Sequence, residues 1–301
     1  MPLRIRYLAG QQQQLLDPKS VPGNHVLLNP SVAGDIVYIR DIEQTKTQQI
    51  NSVILYNTKN NTSTHIPVPM EFMHSTDGYY AGLEDLRIFW YKDRLHFVGT
   101  STHASSRLQS EMLAGVFAKD FRSVERMNHL DFGPPPVKNV CPFIWDDKIL
   151  LIDTYARAMY ELSDVESDTS PTSTPTFQAT PLGRLGGMSL GIFGTEGLRG
   201  TTSPVHLHGS TFGCIVHDVI YDNNSVLNTK TKLAYIHQWI EFDVVSRAIT
   251  FASSPFFVVH FGIEFVSGLD YNKETNKVSL YLGVDDKTPM VVYTSIQDLR
   301  A

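Results

Sequence analysis

The sequence predicts an all-β chain arranged as a five-bladed β-propeller, and three observations predict it. Five times a polar turn leads into a compact apolar strand that ends in a polar cluster: GDIVYIRDIE, DRLHFVGTSTH, DKILLIDTYAR, STFGCIVHDVI and NKVSLYLGVDD. With Val37, Phe97, Leu151, Ile215 and Tyr281 taken as equivalent, the repeats lie 54 to 66 residues apart, close to the roughly 50 residues of a four-stranded blade. Between them, strand-like runs alternate with Gly, Asn, Asp and Pro turns, and no window keeps a convincing helical period.

A repeat along all 301 residues favours one domain. The expected organisation is a solvated leader over residues 1–22, holding the QQQQ tract, then a single propeller domain over 23–301 that carries the chemistry. Two short helical candidates stand at its ends, Gln11 to Leu16 and Ser295 to Arg300. The Ser/Thr/Pro-rich stretch from Glu166 to Pro181 reads as a long loop within the third blade. Glycine-rich LGGMSLGIFGTEGLRG reads as a loop before the fourth; no Gly-Lys-Ser/Thr follows, so it is not a phosphate-cradling P-loop.

Apolar residues at 42% and charged residues at 19% describe a globular chain with a sizeable core. A net charge of −6 provides no global basic field, which argues against nucleic acid as a partner. No apolar run is long enough to span a bilayer, and MPLRIRYLAG lacks the apolar stretch of a secretory signal, so a cytoplasmic protein without a membrane partner is expected. Cys141 and Cys214 lie in apolar strands and are expected to be buried free thiols. His206 and His208 share a strand face, but no third ligand follows at recognisable spacing, so no metal is expected.

In a propeller the first strand of each blade borders a central channel, and the second runs back so that its last residues reach the same mouth. The innermost segments offer Asn29, Glu84, Asp85, Arg87, Lys138, Asn139, Ser203 and Glu264. The returning ends offer Arg40, His103, Tyr155, Arg157, His217, Asp218, Asp285 and Asp286. Carboxylates beside cations in a partly dry funnel can protonate a leaving group or hold an anion, which points to glycosyl or phosphoryl chemistry. In GLEDLR, period two places Glu84 and Asp85 on opposite faces and puts Asp85 and Arg87 on one; a surface salt bridge is the plain alternative. Arg40, Lys138 and His217 each read locally as turn or structural groups. Their matching repeat positions are what suggest an anion pocket. Asp146 and Asp147 read as turn chemistry, whereas Asp285 and Asp286, closing the fifth repeat, remain functional candidates.

These motifs resemble a known family. EDLRIFWYKDRLHFVGTSTH is similar to the acidic-acidic-Pro-Arg segment of the five-bladed β-mannoside phosphorylases and their relatives, which include glycoside hydrolases and mannosyltransferase-phosphorylases. KNVCPFIWDDKILLIDTY resembles their Lys-Asn…Pro-Phe strand, RGTTSPVHLHGSTFGCIVHDV their Gly-Thr-Pro-Pro segment with a downstream His, and EFVSGLDYNKETNKVSLYLGVDD their closing element. The resemblance implies inverting glycosyl transfer, with Asp85 as general acid. Arg40, Lys138 and His217, supported by Arg87, would receive phosphate or another anion. Glu84, Asn139, Tyr155 and Asp285 are the candidate sugar contacts. Glu264 would activate water if the reaction were hydrolysis, with a hydrogen-bonding role as the alternative. No cofactor is implied; inorganic phosphate or a nucleotide sugar would be the co-substrate, and an oligosaccharide or sugar phosphate the partner. The sequence departs from the family at Leu86, where proline is usual, at Ser203, where threonine is expected, and at Leu282. An inverting hydrolase and a glycan-binding propeller without activity are the alternative readings.

Overall fold

The structure is a computed structural model and describes residues 6–8, 10–16, 22–46, 49–67, 80–102, 110–130, 132, 139–165, 176–188, 199–200, 202–224 and 229–301. The described residues are all β apart from one short helix. Two amino-terminal strands, β1 (Arg6–Tyr7) and β2 (Gln11–Gln14), precede the repeats. The first repeat folds as β3 (His25–Ala33), β4 (Ile36–Gln44), β5 (Gln49–Asn57) and β6 (Thr62–Ile66), and the second as β7 (Tyr80–Tyr91), β8 (Arg94–Thr102), β9 (Ser110–Phe117) and β10 (Val124–His129). The third comprises β11 (Cys141–Trp145), β12 (Lys148–Asp153), β13 (Ala158–Val165) and β14 (Thr176–Arg184). After β15 (Gly186–Gly187), the fourth has β16 (Arg199–Gly200), β17 (Val205–His208), β18 (Thr211–Asn224), β19 (Thr229–Asp243), β20 (Ala248–Ala252) and β21 (Phe256–Phe257). The fifth has β22 (Glu264–Asn272), β23 (Lys277–Val284) and β24 (Thr288–Ser295), and α1 (Ile296–Arg300) ends the chain, capped by the Ser295 hydroxyl.

Each repeat is an antiparallel meander, and parallel pairing of β5 with β7 joins the first two into one eight-stranded sheet. Apolar clusters fill the spaces between neighbouring repeats. Tyr38 and Leu55 pack with Leu86 and Phe97, Val98 and Ala114 with Leu151 and Leu162, Phe143 and Ile152 with Phe212 and Ile240, and Ile215 and Trp239 with Val266 and Leu280. Leu27 and Val37 of the first repeat then pack with Tyr281 of the fifth. Val37, Phe97, Leu151 and Tyr281 lie in the second strand of their repeats and Ile215 in β18, which follows the short β16 and β17; Val37, Phe97, Leu151 and Ile215 have no exposed surface.

Three sequence expectations are corrected. Gln11–Gln14 is neither helix nor leader: it pairs antiparallel with Met290 to Tyr293 and supplies the fourth strand of the last sheet. Arg6–Tyr7 likewise pairs with Phe256–Phe257, so the fold includes residues from the segment assigned to the leader. The four glutamine side chains are exposed; what holds them is their backbone, which a composition reading does not weigh. The third correction concerns Glu166 to Pro181, whose described part from Thr176 onward is an edge strand rather than loop. An edge position explains the tolerance of Pro181, whose ring needs no hydrogen-bonded partner on its open side.

The strands that border neighbouring repeats share a further device. In β3, three residue steps from Leu28 to Ser31 face two from Arg40 to Tyr38, and in β7 the same holds from Glu84 to Arg87 against Thr100 to Val98. A bulge also shifts β22 between Val266 and Gly268. Asn29 and Asp85 take the left-handed turn of their bulges at φ 43° and 50°, a conformation that Asn and Asp adopt more readily than other side chains. The bulge takes the carbonyls of Pro30 and Leu86 off their own ladders. Buried carbonyls need donors, and each finds a serine of the adjacent repeat: Ser267 Oγ donates to Pro30 at 2.9 Å and Ser31 Oγ to Leu86 at 2.6 Å.

Candidate functional site

Asp85 lies where the first and second repeats meet. Asn29 Nδ2 donates to Asp85 Oδ1 at 2.7 Å, and Arg40 Nη1 reaches the same oxygen at 3.1 Å. Arg40 Nη2 lies 3.5 Å from Glu84 Oε1, while its Nε donates to fully buried Asn51 at 2.7 Å. Period-two alternation fails here because of the bulge: both acids of the pair reach Arg40, although the unbroken strand would put them on opposite faces. Burial by itself lowers the proton affinity of Arg40, but the fields of Glu84 and Asp85 outweigh it and hold the guanidinium firmly charged.

Arg87 does not simply sit beside the Asp85 carboxylate. Its Nη1 donates to the Asp85 backbone carbonyl at 2.7 Å, fixing the strained turn, and its guanidinium lies over the Phe265 ring at 5.6 Å from the centroid. His217 meets the same ring edge-on, with centroids 5.1 Å apart, and is itself buried. Phe265 is thus the platform that brings the second and fourth repeats together. Asn139 opens the third repeat in a left-handed turn at φ 62° and lines a small crevice with Asp85, Arg87 and Thr100.

The remaining candidates fall into different settings. Glu264 has no exposed surface, and its carboxylate accepts the backbone N–H groups of Val258, Val259 (2.7 Å) and His260 (3.1 Å). Burial pushes its proton affinity up, opposed by those three donors. Both oxygens are occupied by main chain, so activation of a water is not what this geometry serves. Asp285 and Asp286 are turn residues at φ 53° and 49°, built like Asp146 and Asp147; the Asp285 carboxylate is open to solvent and 3.1 Å from His260 Nε2. Tyr155 is exposed beside a turn that buried Asp153 holds through the Tyr155 and Ala156 N–H groups. Lys138 and His103 lie outside the described residues.

Sequence reasoning did not single out Phe265, Asn51 or Ser31. Phe265 reads as one more core aromatic and Asn51 lies on the third strand of its repeat, so neither position carried a local signal. Gly82 offered one: it sits at φ 89° against the Asn51 carbonyl, where a β-carbon would collide. Both thiols are free and buried, and burial raises that of Cys141 to about 11, which makes it inert. His206 bonds the Gly209 carbonyl and Lys273, and no metal-binding cluster occurs among the described residues. None of the helices among the described residues is long and apolar enough to cross a membrane.

No protein-family model and no curated protein sequence matches the chain. Its fold is similar to that of MPT-4, a mannose phosphorylase from Leishmania mexicana solved in complex with a phosphate ion: the TM-score is 0.56 at 16% identity, covering 97% of this chain and 88% of that one. MPT-1, a GDP-Man-dependent mannosyltransferase from the same organism, aligns at a TM-score of 0.55 and 14% identity over 90% and 86% of the two chains. A third similar structure comes from work on the GH130 family of mannoside phosphorylases, which contains glycoside hydrolases that target β-1,2 mannosidic linkages in Candida mannan; the TM-score is 0.58 at 12% identity, covering 96% and 94%. These neighbours agree with the resemblance carried by the motifs. At such identities they establish a shared all-β fold.

Proposed function

We propose that the chain is a five-bladed β-propeller enzyme that transfers a hexose, mannose in the first instance, to or from phosphate or a nucleotide-sugar donor with inversion. One observation carries this reading: contacts link Asp85 to side chains of the other repeats, with Asn29 and Arg40 on its carboxylate, Asn139 in its crevice, and Arg87, which bonds its backbone carbonyl, meeting His217 on Phe265. Asp85 protonates the leaving glycosidic oxygen. Arg40, Arg87 and His217, with Lys138, receive the anion, and Glu84, Asn139, Tyr155 and Asp285 contact sugar hydroxyls. An arriving phosphate competes for Arg40, which Glu84 and Asp85 engage; withdrawal of that cation favours the protonated acid that catalysis needs.

Phosphate as nucleophile needs no protein base, whereas inverting hydrolysis does. The engagement of Glu264 by three main-chain donors favours the former. The test is incubation with manno-oligosaccharides plus phosphate and, separately, with GDP-mannose plus an acceptor. Mannose 1-phosphate or an extended glycan is expected, and Asp85→Asn should abolish it. Folded protein inactive across a broad panel of sugars and donors would sink the proposal; glycan binding indifferent to Asp85→Asn would favour a lectin-like propeller. Hydrolysis in phosphate-free buffer, lost in Glu264→Ala, would favour a hydrolase.

A further inference from the structure

The loop that leads into β22 is shaped by a buried acid. Glu264 accepts the N–H groups of Val258, Val259 and His260, so this stretch is set before any ligand arrives. The loop is tied twice more: the Tyr235 N–H donates to the Gly262 carbonyl at 3.1 Å, and the Asp285 N–H to that of Ile263 at 2.6 Å. Tyr235 in turn packs on Phe265, with centroids 5.5 Å apart, and on His217 at 5.3 Å. Four residues of chain span at most about 14 Å, so Phe261 lies close to the Phe265 platform.

Two side chains of this loop reach solvent without a part in the chemistry assigned to Asp85. His260 Nε2 meets Asp285 Oδ1 at 3.1 Å; a carboxylate only accepts, so the ring donates. Among the described residues nothing else bonds His260 Nδ1 or Asp285 Oδ2. Gly262 leaves room for the pair, since a β-carbon there would come within 2.5 Å of His260 Nε2. Phe261 is 51% exposed, and Phe257 meets its ring edge-on with centroids 5.3 Å apart, a contact that holds the ring while leaving much of it open. An exposed ring one residue from an imidazole and its carboxylate suits a pyranose, which has an apolar C–H face and a rim of hydroxyls that donate and accept. The imidazole N–H already on Asp285 disfavours a cation as the occupant.

We infer that residues 258–262 form a carbohydrate-recognition loop: His260 orients the Asp285 carboxylate toward the hydroxyls of one sugar, and Phe261 packs on the next, so the ligand is an oligosaccharide rather than a free hexose. The ligand class rests on the proposed function, and the test reads binding apart from turnover. Full-length Asp85→Asn protein is titrated calorimetrically with mannose and with mannotetraose of β-1,2 and of β-1,4 linkage. A tetrasaccharide should bind more tightly than mannose. Adding Phe261→Ala should lower the tetrasaccharide affinity roughly tenfold and leave that of mannose unchanged. His260→Ala should weaken the tetrasaccharide severalfold, and His260→Gln, whose amide still donates to Asp285, should weaken it less. Both residues are exposed, and a melting temperature equal to that of Asp85→Asn checks that each variant is folded. No tetrasaccharide binding, a Phe261→Ala loss shared equally by mannose, or unchanged binding in either folded alanine variant would overturn the inference. Binding that follows the expected pattern in a wild-type protein that forms no product would instead count against the transfer reaction alone.

Discussion

Asp85, midway along β7, and Glu264, the first residue of β22, are both acids on border strands, yet the protein holds them in opposite ways. The Asp85 carboxylate is held by side chains from another repeat, Asn29 and Arg40, and retains some exposure. Glu264 is held by three main-chain N–H groups of the segment just before it, residues 258–260, and has none. A ligand can compete for side-chain partners that rotate, whereas main-chain donors fixed in a loop do not leave. The difference separates a carboxylate available for chemistry from one committed to shaping residues 258–260.

Asp85→Asn gives the largest expected effect on turnover. Asn tolerates the left-handed turn, so the fold should persist while product formation falls by roughly 10²- to 10⁴-fold, the usual contribution of a general acid. An active, folded Asp85→Asn protein would break the comparison at once. Glu264→Ala should show the reverse pattern, with a loss of about 1–3 kcal/mol or more in denaturant unfolding from stranded buried donors and little change in rate per folded molecule. Full stability with lost activity would return Glu264 to the chemistry.

His237 sharpens the comparison through pH. It is fully buried, its Nδ1 lies 3.7 Å from Glu264 Oε1, and burial lowers its proton affinity from 6.5 to about 3. Between these values the unfolded chain takes up a proton that the folded chain refuses, so stability present above pH 6.5 is lost as the pH falls. The slope from this group is at most about 1.4 kcal/mol per pH unit. Thermal melts of His237→Gln should lack it. Burial raises Glu264, giving a contribution of opposite sign above 4.5, so the His237→Gln difference is the quantity to measure.

The smallest effect is expected at Arg300. Its guanidinium forms a bidentate pair with Glu241, at 2.6 and 2.9 Å, that ties α1 to β19. The Arg300 end is half-exposed and solvent-screened although Glu241 is buried, so the pair should contribute about 1 kcal/mol, read as a small drop in melting temperature for Arg300→Ala with turnover unchanged.

Much of the fold was legible because strand burial repeats locally: Val37, Phe97, Leu151 and Ile215 each announce a core strand by their neighbours. GLEDLR was legible as a polar segment where a core strand should start. What misled was the assumption of unbroken period two, since a one-residue bulge redirects Glu84, Asp85 and Arg87 without any composition cue. The glutamine tract misled for a related reason, because its pairing with β24 is a backbone contact across nearly the whole chain.

The sequence by itself determined where the core strand of each repeat runs, where its apolar face lies, and that acids and cations recur near equivalent strand ends. Those properties depend on near neighbours. Only the tertiary structure decided that Arg40 serves Asp85, that Phe265 joins Arg87 to His217, and that Glu264 is consumed by its own loop. Such pairings rest on closing distances between segments far apart in the chain, and a bulge of one residue is enough to choose among them.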